Sequence, residues 1–136
     1  MKRLNTSSKW TSKEKDTEIM SVRISPDGQT VGCSLSNGNI LLKSFQTGRT
    51  SFSILHSKEK FPVSTIRFNP ILPKTFLTAS TDGEIKEWNS LKPKNSWTTK
   101  EEGNETYALD IHRGGVIFAT GGSDQIVRVY DGKTKK

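Results

Sequence analysis

Residues 79–89 read Ala79-Ser80-Thr81-Asp82-Gly83-Glu84-Ile85-Lys86-Glu87-Trp88-Asn89. Within this stretch, Asp82-Gly83 is a dipeptide that favours a tight hairpin turn. After the turn, Ile85 lies between two charged residues and Trp88 follows a third, which is typical of a strand with one buried face and one solvated face. The stretch therefore predicts two antiparallel strands joined by a short turn.

The same pattern occurs three times along the chain. The turn residues Asn37, Asp82 and Asp124 are 45 and 42 positions apart, and the apolar residues that open each unit are 44 and 43 positions apart. A period of this length indicates a repeat architecture. Three units cover residues 19–131 and predict eleven short strands. The only helical pattern is in residues 11–20, where a threonine and a glutamate are spaced like a capping box.

Short strands in groups of four, a period of 42 to 45 residues and an aromatic-acidic ending together resemble WD40 repeats. Residues 79–89 are the clearest copy, and residues 120–131 are nearly as close to the family pattern. The resemblance implies an all-β fold: a partial WD40-type β-propeller with about three four-stranded antiparallel blades. Because closed propellers have about four to eight blades, we expect this chain to belong to a larger or composite ring.

The repeats divide the chain into five segments. Residues 1–18 form a basic N-terminal segment with an outer strand near Trp10, a strand without a blade of its own. Residues 19–62 are a degenerate first repeat, residues 63–105 are the second, and residues 106–131 are a third repeat that lacks its outer strand. Residues 132–136 are a basic tail.

The resemblance also implies a structural hydrogen-bond set that fixes the turn between the second and third strands of a blade. In the second repeat the set is His56, Ser80, Asp82 and Trp88, where imidazole, hydroxyl and indole groups offer donors to a buried carboxylate. In the third repeat Asp124 and Tyr130 match, but Gly122 replaces the hydroxyl residue and no histidine lies between residues 92 and 108. The first repeat retains none of the set.

His56, Ser80 and Asp82 are also the ingredients of a hydrolytic triad. No oxyanion motif of the Gly-x-Ser-x-Gly type accompanies them, and the resemblance implies that the same groups support a turn. We therefore predict a non-catalytic protein. The chain has two histidines and one cysteine, no two of them closer than 23 positions in sequence, so neither a metal site nor a cofactor is predicted.

The formal net charge of the chain is +7, which suggests nucleic acid or acidic partners. Residues 19–131 carry only +2 of this charge, and the rest lies in residues 1–18 and 132–136. The longest apolar run is residues 116–119, far below the roughly 20 residues of a membrane-spanning helix. With Cys33 as the single cysteine, we expect an intracellular protein, cytoplasmic first, with nuclear or cytoskeleton-associated locations as alternatives.

These observations predict a scaffold that mediates protein–protein interaction within a multisubunit complex. The expected partners are other blades of a longer parent chain, a second copy of this chain in a self-dimer, or another subunit of a complex. The alternative is a factor that binds RNA or ribosome precursors through its basic ends. The candidate partner-binding rim consists of the turn and loop residues Ser36, Lys58, Lys60, Thr81 and Ser123.

Overall fold

The computed structural model describes residues 9–132, and every regular element within them is a β-strand. The eleven strands are β1 (Ile19–Ile24), β2 (Thr30–Leu35), β3 (Asn39–Ser44), β4 (Thr50–Leu55), β5 (Val63–Phe68), β6 (Thr75–Ser80), β7 (Glu84–Asn89), β8 (Lys92–Lys100), β9 (Thr106–Ile111), β10 (Ile117–Gly122) and β11 (Arg128–Asp131). Within the described residues there is no helix long and apolar enough to cross a membrane.

The strands form three antiparallel sheets, which we call blades 1, 2 and 3. Blade 1 has the order β1-β2-β3-β4 and blade 2 the order β5-β6-β7-β8, whereas blade 3 contains only β9, β10 and β11. The first strand of each blade packs against the first strand of the next. This arrangement confirms the predicted all-β fold and partial WD40-type propeller.

The hydrophobic core has one layer between each pair of neighbouring blades and a further buried cluster on the other face of blade 1, packed against Trp10. Between blades 1 and 2, the Phe76 and Trp88 rings are stacked with their centroids 6.4 Å apart. Between blades 2 and 3, Phe118 contacts Trp97 edge to face at 5.9 Å. Because each layer requires residues from two blades, the blades stabilise one another through their faces.

The hairpin turns match the predicted positions, but their geometry depends on one residue each. Gly38 and Gly83 have φ values of 92° and 88°, a region that only glycine enters without strain. In blade 3 the corresponding residue is Gln125, at φ 69°. After this turn the chain enters β11 at Arg128.

Residues 9–18 form neither the predicted helix nor the predicted outer strand near Trp10. The segment lies against the outer face of blade 1, where Trp10 packs beside Phe45 and its indole N–H donates to the Phe45 carbonyl at 2.7 Å. Glu14 does not cap a helix; it pairs with Lys43. An outer strand requires an edge of its own blade, and the described residues provide no inner strands on that side.

Candidate functional site

Blade 2 contains a buried polar chain of three side chains. The Trp88 indole N–H donates to Thr78 Oγ1 at 2.7 Å, and Thr78 Oγ1 lies 3.0 Å from His56 Nδ1. Because the indole can only donate, the Thr78 hydroxyl accepts from it. The same hydroxyl oxygen therefore joins the Trp88 and His56 side chains.

The hydroxyl that joins His56 to Trp88 therefore belongs to Thr78, two residues before the predicted Ser80. The reason is strand register: Phe76 pairs with Trp88 across β6 and β7, so Thr78 is the diagonal neighbour that an aromatic side chain can reach. Ser80 is one pleat further along and donates its hydroxyl to Asp82 Oδ1 instead. His56 and Trp88 thus meet at one point, and Ser80 and Asp82 meet at another.

Asp82 stabilises the turn between β6 and β7. Its Oδ1 accepts the Glu84 backbone N–H at 3.0 Å in addition to the Ser80 hydroxyl. Burial raises the pKa of Asp82, but these hydrogen bonds and the nearby His56 bring the pKa below its ordinary value. The carboxylate therefore remains ionised and holds the turn closed.

His56 is held neutral by its surroundings. Its side chain is 1% exposed, and burial, with a smaller effect from the Lys86 charge, lowers its pKa to about 4. Ser80 is fully buried and points its hydroxyl at Asp82. The hydroxyl contact of His56 is with Thr78, so the three ingredients of a triad are not arranged as nucleophile, base and orienting acid.

Blade 3 carries a corresponding polar set that the sequence interpretation missed. Its centre is Glu101, which is 4% exposed and takes the place of His56: the Glu101 N–H bonds to the Gly83 carbonyl just as the His56 N–H bonds to the Gly38 carbonyl. Four side chains donate to its carboxylate: Asn104 at 2.9 Å, Thr106 at 2.8 Å, Thr120 at 2.6 Å and Tyr130 at 2.5 Å.

These four bonds determine the charge of Glu101. Burial alone would raise its pKa, but the hydrogen bonds, with the one from Thr120 first among them, bring the pKa below its ordinary value. Thr120 supplies the hydroxyl that the sequence interpretation sought at Gly122. The sequence does indicate this role, because Glu101 lies 45 residues after His56, which is within the range of spacings between repeats.

Asp124 lies in the β10–β11 turn and is not part of the Glu101 set. It accepts the Ile126 backbone N–H at 3.1 Å and pairs with Arg128 at 2.7 Å. Tyr130 stacks on Phe118, with centroids 4.8 Å apart, while its hydroxyl donates to Glu101.

In blade 1, an ion pair occupies the position that the His56 set has in blade 2 and the Glu101 set has in blade 3. Lys43, in the position of Trp88 and Tyr130, is buried and lies 3.0 Å from Glu14. Lys43 also donates to the Thr50 hydroxyl at 3.0 Å. The hydrogen bond from Lys43, followed by one from Ser12, holds the pKa of Glu14 below its ordinary value.

The candidate rim residues all lie at one edge of the three sheets, in the turns and loops between strands. Ser36 and Ser123 accept the backbone N–H groups of Glu18 and Glu105 at 2.8 and 2.9 Å. Lys58 and Lys60 are exposed, whereas Thr81 is half-buried. The rim is thus partly occupied by internal hydrogen bonds, and its free donors are mainly lysine side chains.

Within residues 9–132, no group of three or more histidine, cysteine or acidic side chains is placed to hold a metal ion. The His56 set of blade 2 and the Glu101 set of blade 3 are centred on buried side chains that bond to other residues of the blades. These polar sets therefore stabilise turns. The exposed side chains that a partner could contact lie on the rim and on the faces at the two ends of the arc that blades 1, 2 and 3 form.

Residues 93–131 match the sequence family described as "WD domain, G-beta repeat". The match runs from the outer strand of blade 2 through the three strands of blade 3. No curated protein sequence matches the chain.

In fold, 1112 chains of solved structures match, so similarity of fold alone does not identify a partner. One of them belongs to "Crystal Structure of Mitotic Checkpoint Complex", with a TM-score of 0.82 and 19% sequence identity. The alignment covers 91% of this chain but only 37% of that chain. The repeat match and the arrangement of blades confirm the predicted resemblance: residues 93–131 are similar to a WD40 repeat, and the described chain has the fold of part of a β-propeller.

Proposed function

We propose that this chain is a non-catalytic scaffold that holds protein partners together inside the cell, as part of a larger or composite propeller. The observation that carries the proposal is the burial of matched positions in the three blades. Ile40 and Ile85 are fully buried under the next blade, whereas Val127, which occupies the same position in blade 3, is 79% exposed. An apolar residue of the interior type on an open face favours coverage by another protein surface.

The opposite end of the arc supports the same conclusion. Val22 and Ile24 on β1 are 52% and 57% exposed. Leu109, which occupies the position of Val22 in blade 3, is buried against blade 2. Both ends of the arc therefore present blade faces without a neighbouring blade in the described structure.

The hydrogen bonds that fix the rim support a role in presenting side chains to a partner. The backbone N–H groups of Ser36, Thr81 and Ser123 each bond to the carbonyl of the loop that enters the same blade, at 2.9 to 3.0 Å. The loop that carries Lys58 and Lys60 lies against the β2–β3 turn, since a Cβ on Gly38 would come within 2.8 Å of Lys60 Cα. A rim fixed in this way presents its side chains to a partner with little loss of conformational entropy.

The test is a comparison of two sets of alanine variants. One set changes the rim residues Ser36, Lys58, Lys60, Thr81 and Ser123; the control set changes Asp27, Thr47, Lys74 and Arg113 in turns and loops at the opposite edge. Quantitative mass spectrometry of proteins cross-linked to the chain in cells should show partners lost only from the rim set. Retention of every partner by the rim set would overturn the role of the rim.

RNA binding is the second candidate, and its support is limited to the charge outside the repeats. A titration with RNA over rising salt measures this directly, because phosphate contacts give a binding constant that falls steeply with salt. Absence of any salt-dependent binding would remove this alternative.

A further inference from the structure

Residues 9–18 resemble residues 96–105 in sequence. With an offset of 87 positions, the two segments share a tryptophan, a threonine, a lysine and two glutamates. The identical pairs are Trp10 and Trp97, Thr11 and Thr98, Lys13 and Lys100, Glu14 and Glu101, and Glu18 and Glu105. Residues 96–105 contain the end of β8 and the loop that leads into blade 3.

The two segments also make the same contacts with the blade that follows. Glu18 N–H bonds to the Ser36 hydroxyl at 2.8 Å, and Glu105 N–H bonds to the Ser123 hydroxyl at 2.9 Å. Glu14 reaches Lys43, and Glu101 reaches Tyr130, 87 residues further on. Residues 9–18 therefore sit on blade 1 as residues 96–105 sit on blade 3.

What differs is the strand partner. Residues 96–100 pair with β7 as the outer strand of blade 2. Residues 9–13 belong to no sheet, and β11, the counterpart of β7, pairs only with β10 among the described strands. Within residues 9–132, the segment 9–13 has an outer-strand sequence without inner strands of its own, and blade 3 has three inner strands without an outer strand.

We propose that residues 9–13 of one copy of this chain form the fourth strand of blade 3 in a second copy. The register follows from the pairing of β7 with β8, in which Glu84, Ile85, Lys86 and Glu87 face Lys100, Thr99, Thr98 and Trp97. Transferred by the two offsets, Ile126, Val127, Arg128 and Val129 of one copy face Lys13, Ser12, Thr11 and Trp10 of the other. This inference rests on the proposed composite propeller and names its partner.

A second copy of the chain can cover the exposed faces of blade 1 and blade 3 at the same time. Residues 9–18 already lie on blade 1, so docking blade 3 onto them brings Val127 and Val129 against the exposed face that carries Val22 and Ile24. The contact is head-to-tail, and such contacts either close or grow into filaments. Two arcs of three blades give six, which is within the range of closed propellers.

The experiment is site-directed cross-linking of the whole chain. Cysteines at Ile126 and Lys13 in one chain are expected to give an intermolecular disulfide, because facing residues of paired strands have suitable Cα separation. The register control places the second cysteine at Lys15 instead, two residues away. Wild-type chain is the background control, since its only cysteine, Cys33, is buried.

Light scattering and a charge variant complete the test. We expect wild type to have twice the mass of 15.2 kDa, and Val127→Glu to return it to one chain with an unchanged circular dichroism spectrum. Leu91→Glu, the same change at an exposed position of the β7–β8 turn, should keep the doubled mass. The substitution at Val127 tests assembly separately from folding because that side chain is already 79% exposed.

A single-chain mass or equal cross-linking at Lys13 and Lys15 would overturn the proposal, whereas an open series of oligomers would overturn only the closed ring of two copies. The rim variants leave Val127 and residues 9–13 unchanged. Partner binding by the rim and assembly of two copies are therefore tested separately. A single chain that still loses partners on rim substitution overturns only the two-copy ring. A dimer whose rim variants keep every partner overturns only the rim.

Discussion

Acid should destabilise this protein through His56 before it protonates the buried carboxylates. His56 is neutral in the folded state, where burial lowers its pKa to about 4 from the ordinary 6.5. In the unfolded chain the imidazole is solvated and takes up a proton near its ordinary pKa. Since the unfolded state binds more protons, stability falls as the pH drops through about 6.5 and levels off below about 4.

The size of the effect follows from the difference between the two pKa values. A change from 6.5 to about 4 corresponds to about 3 kcal/mol when the whole range is crossed, at roughly 1.4 kcal/mol per pKa unit. Between about pH 7 and about pH 5, linkage gives a loss of about 2 kcal/mol. The carboxylates Asp82 and Glu101, whose pKa values lie below their ordinary range, add their losses only at lower pH.

The assay is urea unfolding at a series of pH values, followed by tryptophan fluorescence, because Trp88 lies in the same buried cluster as His56. His56→Gln should remove most of the loss between about pH 7 and about pH 5. His112→Gln changes an exposed histidine and serves as the matched control. An equal slope in wild type and His56→Gln would refute the reasoning, because another group would then have to take up the proton.

Three further changes test the polar sets and the core. Thr78→Val should cost about 2 to 3 kcal/mol in urea unfolding because it leaves the Trp88 N–H and His56 Nδ1 without their shared hydroxyl, whereas Thr98→Val on the exposed side of β8 should change stability by under about 0.5 kcal/mol. Glu101→Gln should cost about 2 kcal/mol, since either orientation of the amide turns its NH₂ toward two of the four donors; Glu102→Gln is the exposed neighbour for comparison, and equal effects would contradict the assignment. Ile111→Phe should raise stability by about 1 kcal/mol in thermal unfolding, because Ile111 lines a cavity of about 200 Å³ where blade 2 has Phe68; a loss would mean that the neighbouring side chains cannot accept the ring.

The fold was predictable because the repeat pattern depends on local features. A glycine at φ near 90° after a short polar residue marks the turn in blades 1 and 2, and strand alternation follows from it. Residues 9–18 were not predictable in the same way. Their conformation depends on which sheet edge is available, which is a property of the tertiary structure and of partners.

The polar sets were only partly predictable, because a motif position does not specify which hydroxyl reaches an aromatic donor. Ser80 and Thr78 lie on the same face of β6, and the pairing of Phe76 with Trp88 selects Thr78. Glu101 does not fit the predicted pattern, which has a histidine at this position. A carboxylate performs the same structural task when four donors surround it, because their hydrogen bonds offset its desolvation.

The three blades thus solve one packing problem with different chemistry: a neutral histidine in blade 2, an ionised carboxylate surrounded by donors in blade 3, and an ion pair with Lys43 in blade 1. Each solution occupies the junction between an outer strand and the next blade. In blades 2 and 3 the outer strand belongs to the preceding blade of the same chain, whereas in blade 1 its place is taken by residues 9–18, which carry Glu14 and are not in a sheet in the described structure. Because the Glu14–Lys43 pair ties that segment to blade 1, the surface on which another blade 3 would dock is already assembled in the single chain.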